Sequence, residues 1–93
     1  MKIYESGDTI PRGVLVKFNS ILVDPDTITI TITKPDGTVE INDTAMAKDS
    51  TGTYHYYFNP TTPQIGVYTV LYKAVDDTFT AQLKDLFRIR SKS

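Results

Sequence analysis

The chain has 93 residues, ten basic and eleven acidic side chains for a net charge of −1, and no cysteine. That length fits a single domain, residues 1–93, able to bury a core without staples, and the lack of cysteine excludes a disulfide framework and a thiolate metal site. A near-neutral balance argues against the basic stripe that nucleic acid requires, and no apolar run reaches the ~18 residues of a membrane span. The opening Met1-Lys2-Ile3-Tyr4-Glu5 has no apolar segment of the kind that heads an exported chain, so no export signal is expected.

In chain order, a short strand is predicted near Asp8 to Ile10, then one in which Val14, Val16 and Phe18 alternate with Leu15 and Lys17. The run from Thr27 to Thr33 alternates threonine and isoleucine without a break, which predicts a strand with isoleucines inward and threonines outward. Lys34-Pro35-Asp36-Gly37 has the composition of a tight turn, and Thr38-Val39-Glu40-Ile41 returns as a hairpin partner. Between Ile41 and Ala47 there is room for one helical turn at most, and Asn42 to Ser50 reads as a loop. Two aromatic strands follow, one with Tyr54, Tyr56 and Phe58 on a single face, the other with Tyr68, Val70, Tyr72 and Ala74. The turn Asp76-Asp77 leads to a last strand from Phe79 through Leu83 that resumes at Phe87 and Ile89, with a β-bulge predicted where Asp85 interrupts the alternation. Strands of this kind separated by turn signals every ~8–12 residues make an all-β, antiparallel sandwich. The expected core is Val14, Val16, Phe18, Ile28, Ile30, Ile32, Tyr54, Tyr56, Phe58, Tyr68, Val70, Tyr72 and Phe79.

Four segments carry a family likeness: Tyr4-Glu5-Ser6-Gly7-Asp8, Pro35-Asp36-Gly37-Thr38, Asp49-Ser50-Thr51-Gly52-Thr53-Tyr54 and Gly66-Val67-Tyr68-Thr69-Val70. With these the chain resembles the immunoglobulin-like modules of prokaryotic and viral surface or virion proteins, macroglobulin-type segments included. The resemblance implies a seven-stranded antiparallel immunoglobulin-like sandwich. It also implies that Tyr68 matches the tyrosine-corner residue, whose hydroxyl bonds backbone. Such modules bind, decorate or space, and share no catalytic residue. The chain departs from antibody domains in lacking both the cysteine pair and any tryptophan, so antibody-like recognition is not carried over. A single module headed by an initiator methionine resembles small structural proteins of phages and prophages. The expected function is therefore a non-catalytic structural or interaction module, associated with a virion.

The chemistry-bearing residues agree with that expectation. His55 is the one histidine and alternates with inward aromatics, so it should point to solvent; without a second histidine or a cysteine it makes no zinc site. No serine sits in a G-x-S-x-G setting and no phosphate-cradling glycine loop is present, so neither an enzyme nor a cofactor is expected. An immunoglobulin-like strand order would gather Asp24, Asp26, Asp76 and Asp77 at one end, with Asp43 and Asp49. These carboxylates are the calcium candidates, although no D-x-D-x-D-G spacing is present and aspartate commonly forms turns. The same order sends Lys2, Arg12, Lys34, Arg88, Arg90 and Lys92 to the other end, which would make the domain dipolar. Alternation also predicts an outward face of Thr29, Thr31, Val67, Thr69, Leu71 and Leu86, weakly charged and suited to a protein partner or to self-association. The alternative is a small-ligand or carbohydrate-binding module that stacks its ligand on Tyr57 and His55.

Overall fold

The threonine–isoleucine run behaves as its alternation dictates. In the strand Thr27–Thr33 the three isoleucines are buried and the threonines lie on the opposite face. A computed structural model describes residues 1–60, 64–77 and 80–91. Its strands are β1 (Lys2–Glu5), β2 (Ile10–Leu15), β3 (Lys17–Phe18), β4 (Ile21–Leu22) and β5 (Thr27–Thr33), followed by β6 (Val39–Ala45), β7 (Ala47–Ser50), β8 (Thr53–Phe58), β9 (Gly66–Val75) and β10 (Thr80–Arg90). Among the described residues there is no helix. One sheet has the order β1-β10-β9-β5-β6 and the other β2-β8-β7. Seven antiparallel strands, β2 and β5 to β10, form the sandwich, but β2 takes the place of the two strands expected between Asp8 and Phe18, and β7 lies in the segment read as a loop. To these β1 is added in parallel at one edge, and β3 and β4 pair only with each other.

The segment read as a loop, with room for one helical turn at most, is instead strand almost throughout. β6 and β7 are separated by Met46, which is buried and whose N–H donates to the Ile28 carbonyl at 3.1 Å. At that residue the chain passes from the large sheet to the small one. The first strand is Lys2–Glu5; Asp8 lies in the turn after it, where its carboxylate accepts from the Glu5 N–H at 2.9 Å.

Two corrections concern inward faces. Phe18, expected in the core, is half exposed. The chain leaves the small sheet after Leu15, and Val16, buried, binds the Gly52 carbonyl through its N–H at 2.7 Å. A tight hairpin then carries Phe18 away from the core, its tip formed by Asn19 and Ser20 at φ 52° and 67°. The predicted bulge at Asp85 is absent: β9 and β10 pair without a register shift from Thr80–Val75 to Ile89–Gly66. Asp85 pairs with buried Val70, so it occupies a core-facing position rather than breaking the alternation. It is tolerated there because Arg12, on the inward face of β2 between Ile10 and Val14, forms an ion pair with it across the sandwich.

The rest of the core follows the sequence closely. Val14 and Tyr56 are half-buried, Phe79 lies outside the described residues, and Ile10, Met46, Ala74, Phe87 and Ile89 join the interior. Tyr68 and Phe87 stack with ring centroids 5.0 Å apart, and Phe58 meets both edge-on at 6.1 and 6.2 Å. The Tyr68 hydroxyl accepts the Gln64 N–H at 2.8 Å, the tyrosine-corner bond implied by the resemblance. Burial pushes the Tyr68 phenol above its ordinary pKa. Ile30 is fully enclosed on β5, between β9 and β6 of the large sheet. Ile30→Ala should therefore destabilise the fold by roughly 2–5 kcal/mol in denaturant melts; a loss within experimental error would place β5 outside the core.

Candidate functional site

The outer face of the five-stranded sheet assembles the residues that alternation assigned to it. Across β5 and β9, Thr31 stands opposite Leu71, Thr33 opposite Thr69 and Thr29 opposite Lys73. Across β9 and β10, Leu71 faces Lys84, Thr69 faces Leu86 and Val67 faces Arg88. Thr29, Thr31, Val67, Thr69, Leu71 and Leu86 thus share one surface. Leu86 lies diagonal to both Leu71 and Val67, within the reach of long side chains. Val67 and Leu86 are exposed, and Leu71 is partly covered by its neighbours. Lys73, Lys84 and Arg88 border this apolar centre, and the Asp43 carboxylate lies beside the threonines. The Asp43 N–H donates to Thr31 Oγ1 at 3.1 Å from a left-handed backbone, φ 45°.

The small sheet presents different chemistry. His55 and Tyr57 alternate outward on β8, with Tyr57 58% exposed and the two ring centroids 4.9 Å apart. Pro11 and Gly13 of β2 and Ala47 of β7 stand beside them, so little covers the rings. The two rings are tilted by 46° to each other. His55 Nδ1 lies 2.5 Å from Asp49 Oδ1. This imidazole–carboxylate pair faces outward from the sheet, whereas acid–base catalysis needs such a pair aimed at a reacting group in a recess.

The acidic end forms only in part. Asp26, Asp76 and Asp77 bring carboxylate oxygens within 4.8 Å of one another. Asp24 is engaged elsewhere: it accepts from Lys48 Nζ at 2.7 Å, the Gly52 N–H at 2.9 Å and the Tyr54 hydroxyl at 3.1 Å. Asp43 and Asp49 lie on the outer faces of β6 and β7, because the expected loop that carried them is strand. The basic end is also diluted. Arg12 is interior, Lys34 lies 3.7 Å from Glu40, Arg90 stands beside Glu5, and Lys92 lies outside the described residues.

The two kinds of carboxylate environment have opposite consequences. Lys48 and the Gly52 N–H hold the Asp24 carboxyl below the usual aspartate pKa, whereas repulsion from Asp77 and then Asp76 raises that of Asp26. A lowered folded pKa stabilises the fold above the unfolded value and loses that contribution as pH falls through the folded one. A raised folded pKa destabilises the fold above itself, and the penalty vanishes as pH falls below the unfolded value.

No family model matches the chain, and no curated protein matches it. Among solved structures it is similar to one described as titin Ig tandem domains, at a TM-score of 0.51 and 13% identity. The match covers 99% of this chain and 45% of that one, so the chain spans about half its length. Together with the two sheet orders, the likeness shows an immunoglobulin-like β-sandwich.

Asp24→Asn should lower the melting temperature at neutral pH and lose its effect in strong acid. Asp26→Asn should raise the melting temperature at neutral pH and become silent once both folded and unfolded forms are protonated; melting curves across pH read both signs. Melting temperatures with excess calcium and with chelator should coincide. A rise that saturates with calcium would instead assign the ion to Asp26, Asp76 and Asp77, because a ligand bound by the native state alone stabilises it.

Proposed function

We propose that the protein is a non-catalytic interaction module that receives a protein partner on the outer face of its five-stranded sheet. The observation that carries this reading is the placement of Val67, Leu71 and Leu86 among Thr29, Thr31 and Thr69, with Lys73, Lys84 and Arg88 as a charged border. An apolar, charge-poor centre inside a polar rim is how protein interfaces are built. Short β-branched side chains lose little conformational freedom when covered, and a strand face packs well against a partner sheet. The immunoglobulin-like fold supports the reading in a general way. The finer role, an accessory component of a virion, rests on the sequence resemblance.

Leu71→Lys places a cation at the centre of the face while leaving the core untouched. It is expected to retain the wild-type melting temperature within about 0.5 kcal/mol of stability. It should also lose the partner that the immobilised wild-type protein retains from an extract of its source cells. Tyr57→Lys, on the other sheet, should keep that partner. The reverse pattern would assign docking to the small sheet and its aromatic pair.

A further inference from the structure

The first strand covers only part of the last one. β1 pairs with β10 from Phe87 to Arg90, while β9 holds the other side of β10 along its whole length. From Thr80 to Leu86, therefore, β10 has no strand on its outer edge among the described residues. An edge of that kind carries a row of unpaired backbone donors and acceptors. Proteins commonly blunt such edges with lysine side chains, inward-pointing charges, proline or bulges. Apart from the single lysine Lys84, whose side chain lies on the outer face, none of these devices works here. Asp85 points inward, but Arg12 neutralises it; there is no proline between Thr80 and Leu86, and the register has no bulge.

The side chains at this edge are apolar where they should be covered. Leu83 lies on the core-facing side of β10, opposite buried Tyr72, yet it is 55% exposed. Beneath it a groove of about 140 Å³ runs between β10 and β2, with Val14, Val16, Ile28, Tyr72 and Ala74 among its lining residues. Leu86, at the end of the open stretch, is 40% exposed.

We propose that this edge pairs with the same edge of a second copy, β10 against β10, antiparallel about a two-fold axis at Leu83. Leu83 is the midpoint of the open stretch, so this register pairs every residue from Thr80 to Leu86. It sets Leu83 against Leu83, Gln82 against Lys84, Ala81 against Asp85 and Thr80 against Leu86. No like charges stand opposite each other, whereas centring the axis on Lys84 would oppose two lysines, a destabilising pair. The edge can thus meet a copy of itself without directly opposing like charges, as a closed two-fold contact requires. The two exposed leucines would cover each other over the grooves, and the five-stranded sheets would join into one. This inference rests on the open backbone edge and Leu83, whereas the partner-docking face is centred on Leu71, although Lys84 and Leu86 border both.

The chain has no cysteine, so a single introduced thiol reports the contact directly. Sedimentation should show a mass that rises with concentration to two chains, and Leu83→Lys should remain a folded monomer at every concentration. Under mild oxidant Leu83→Cys should form a disulfide-linked dimer at least roughly tenfold faster than Gln82→Cys or Lys84→Cys, because a directly opposed pair alone brings the sulfurs within bonding geometry. Leu71→Lys should dimerise like the wild type. The proposal is overturned by a wild type that stays monomeric throughout, by a dimer that survives Leu83→Lys, or by equal cross-linking of the three cysteine variants.

Discussion

A three-stranded layer cannot cover a five-stranded one, and that difference in width organises the molecule. β2, β8 and β7 cover part of the larger sheet, and the interior is closed where the two overlap: Ile10, Phe58, Tyr68, Val70 and Phe87 are fully enclosed there. Towards the β2 margin the covering layer ends while the inward face of β10 continues. Ala81, Leu83 and Asp85 occupy inward positions on that strand and are exposed, where Phe87 and Ile89 further along are buried. The margin is thus part interior and part surface, and its residues reflect both.

Arg12 is the clearest case. Its guanidinium occupies an inward position on β2 with the side chain only 10% exposed, a location that water cannot fully serve. Three contacts compensate. Its Nε donates to the Tyr72 hydroxyl at 3.1 Å, its terminal nitrogen pairs with Asp85, and the guanidinium carbon stands 5.5 Å from the centroid of Phe87. The pair is asymmetric, since Asp85 is 51% exposed and retains much of its hydration while Arg12 does not. Such an arrangement adds little to stability by itself but strongly penalises loss of the carboxylate, because the guanidinium would be left without an anion. It also fixes how the two sheets are placed relative to each other, as one donor must reach both Tyr72 on β9 and Asp85 on β10.

What could be read from the residues follows from how local each signal is. The isoleucines of β5 and the aromatics of β8 and β9 announce both strand and inward face, because period-2 alternation is a property of neighbours in sequence. The tyrosine corner was implied by the family resemblance rather than by any local pattern, and its hydroxyl reaches backbone four residues away. Asp85 misled because a carboxylate in a run of alternating residues looks like an interruption. Only the parity of Arg12 with Ile10, Val14 and Val16 hinted that a cation waited on the facing strand. Phe18 misled for a different reason: the Asn19-Ser20 turn reverses the chain too early for Phe18 to remain in the same strand as Val14, and neither residue is the glycine that usually marks left-handed backbone. At the acidic end proximity in sequence overstated proximity in space, since Asp24 and Asp26 are two residues apart and yet belong to separate networks. The free margin of β10 could not be foreseen at all, because it depends on where β1 stops.

The parallel pairing of β1 with β10 joins residues 2–5 to residues 87–90, nearly the whole chain apart. A polypeptide emerging from a ribosome must wait for its last strand before its first one has anywhere to go. During that interval Tyr4, which meets Phe87 edge-on at 5.8 Å in the finished fold, has no ring to pack against. Long-range closure of this kind is slow relative to hairpin formation. Closure of the large sheet therefore waits until β10 has been made, and until then β1 lacks the strand it pairs with.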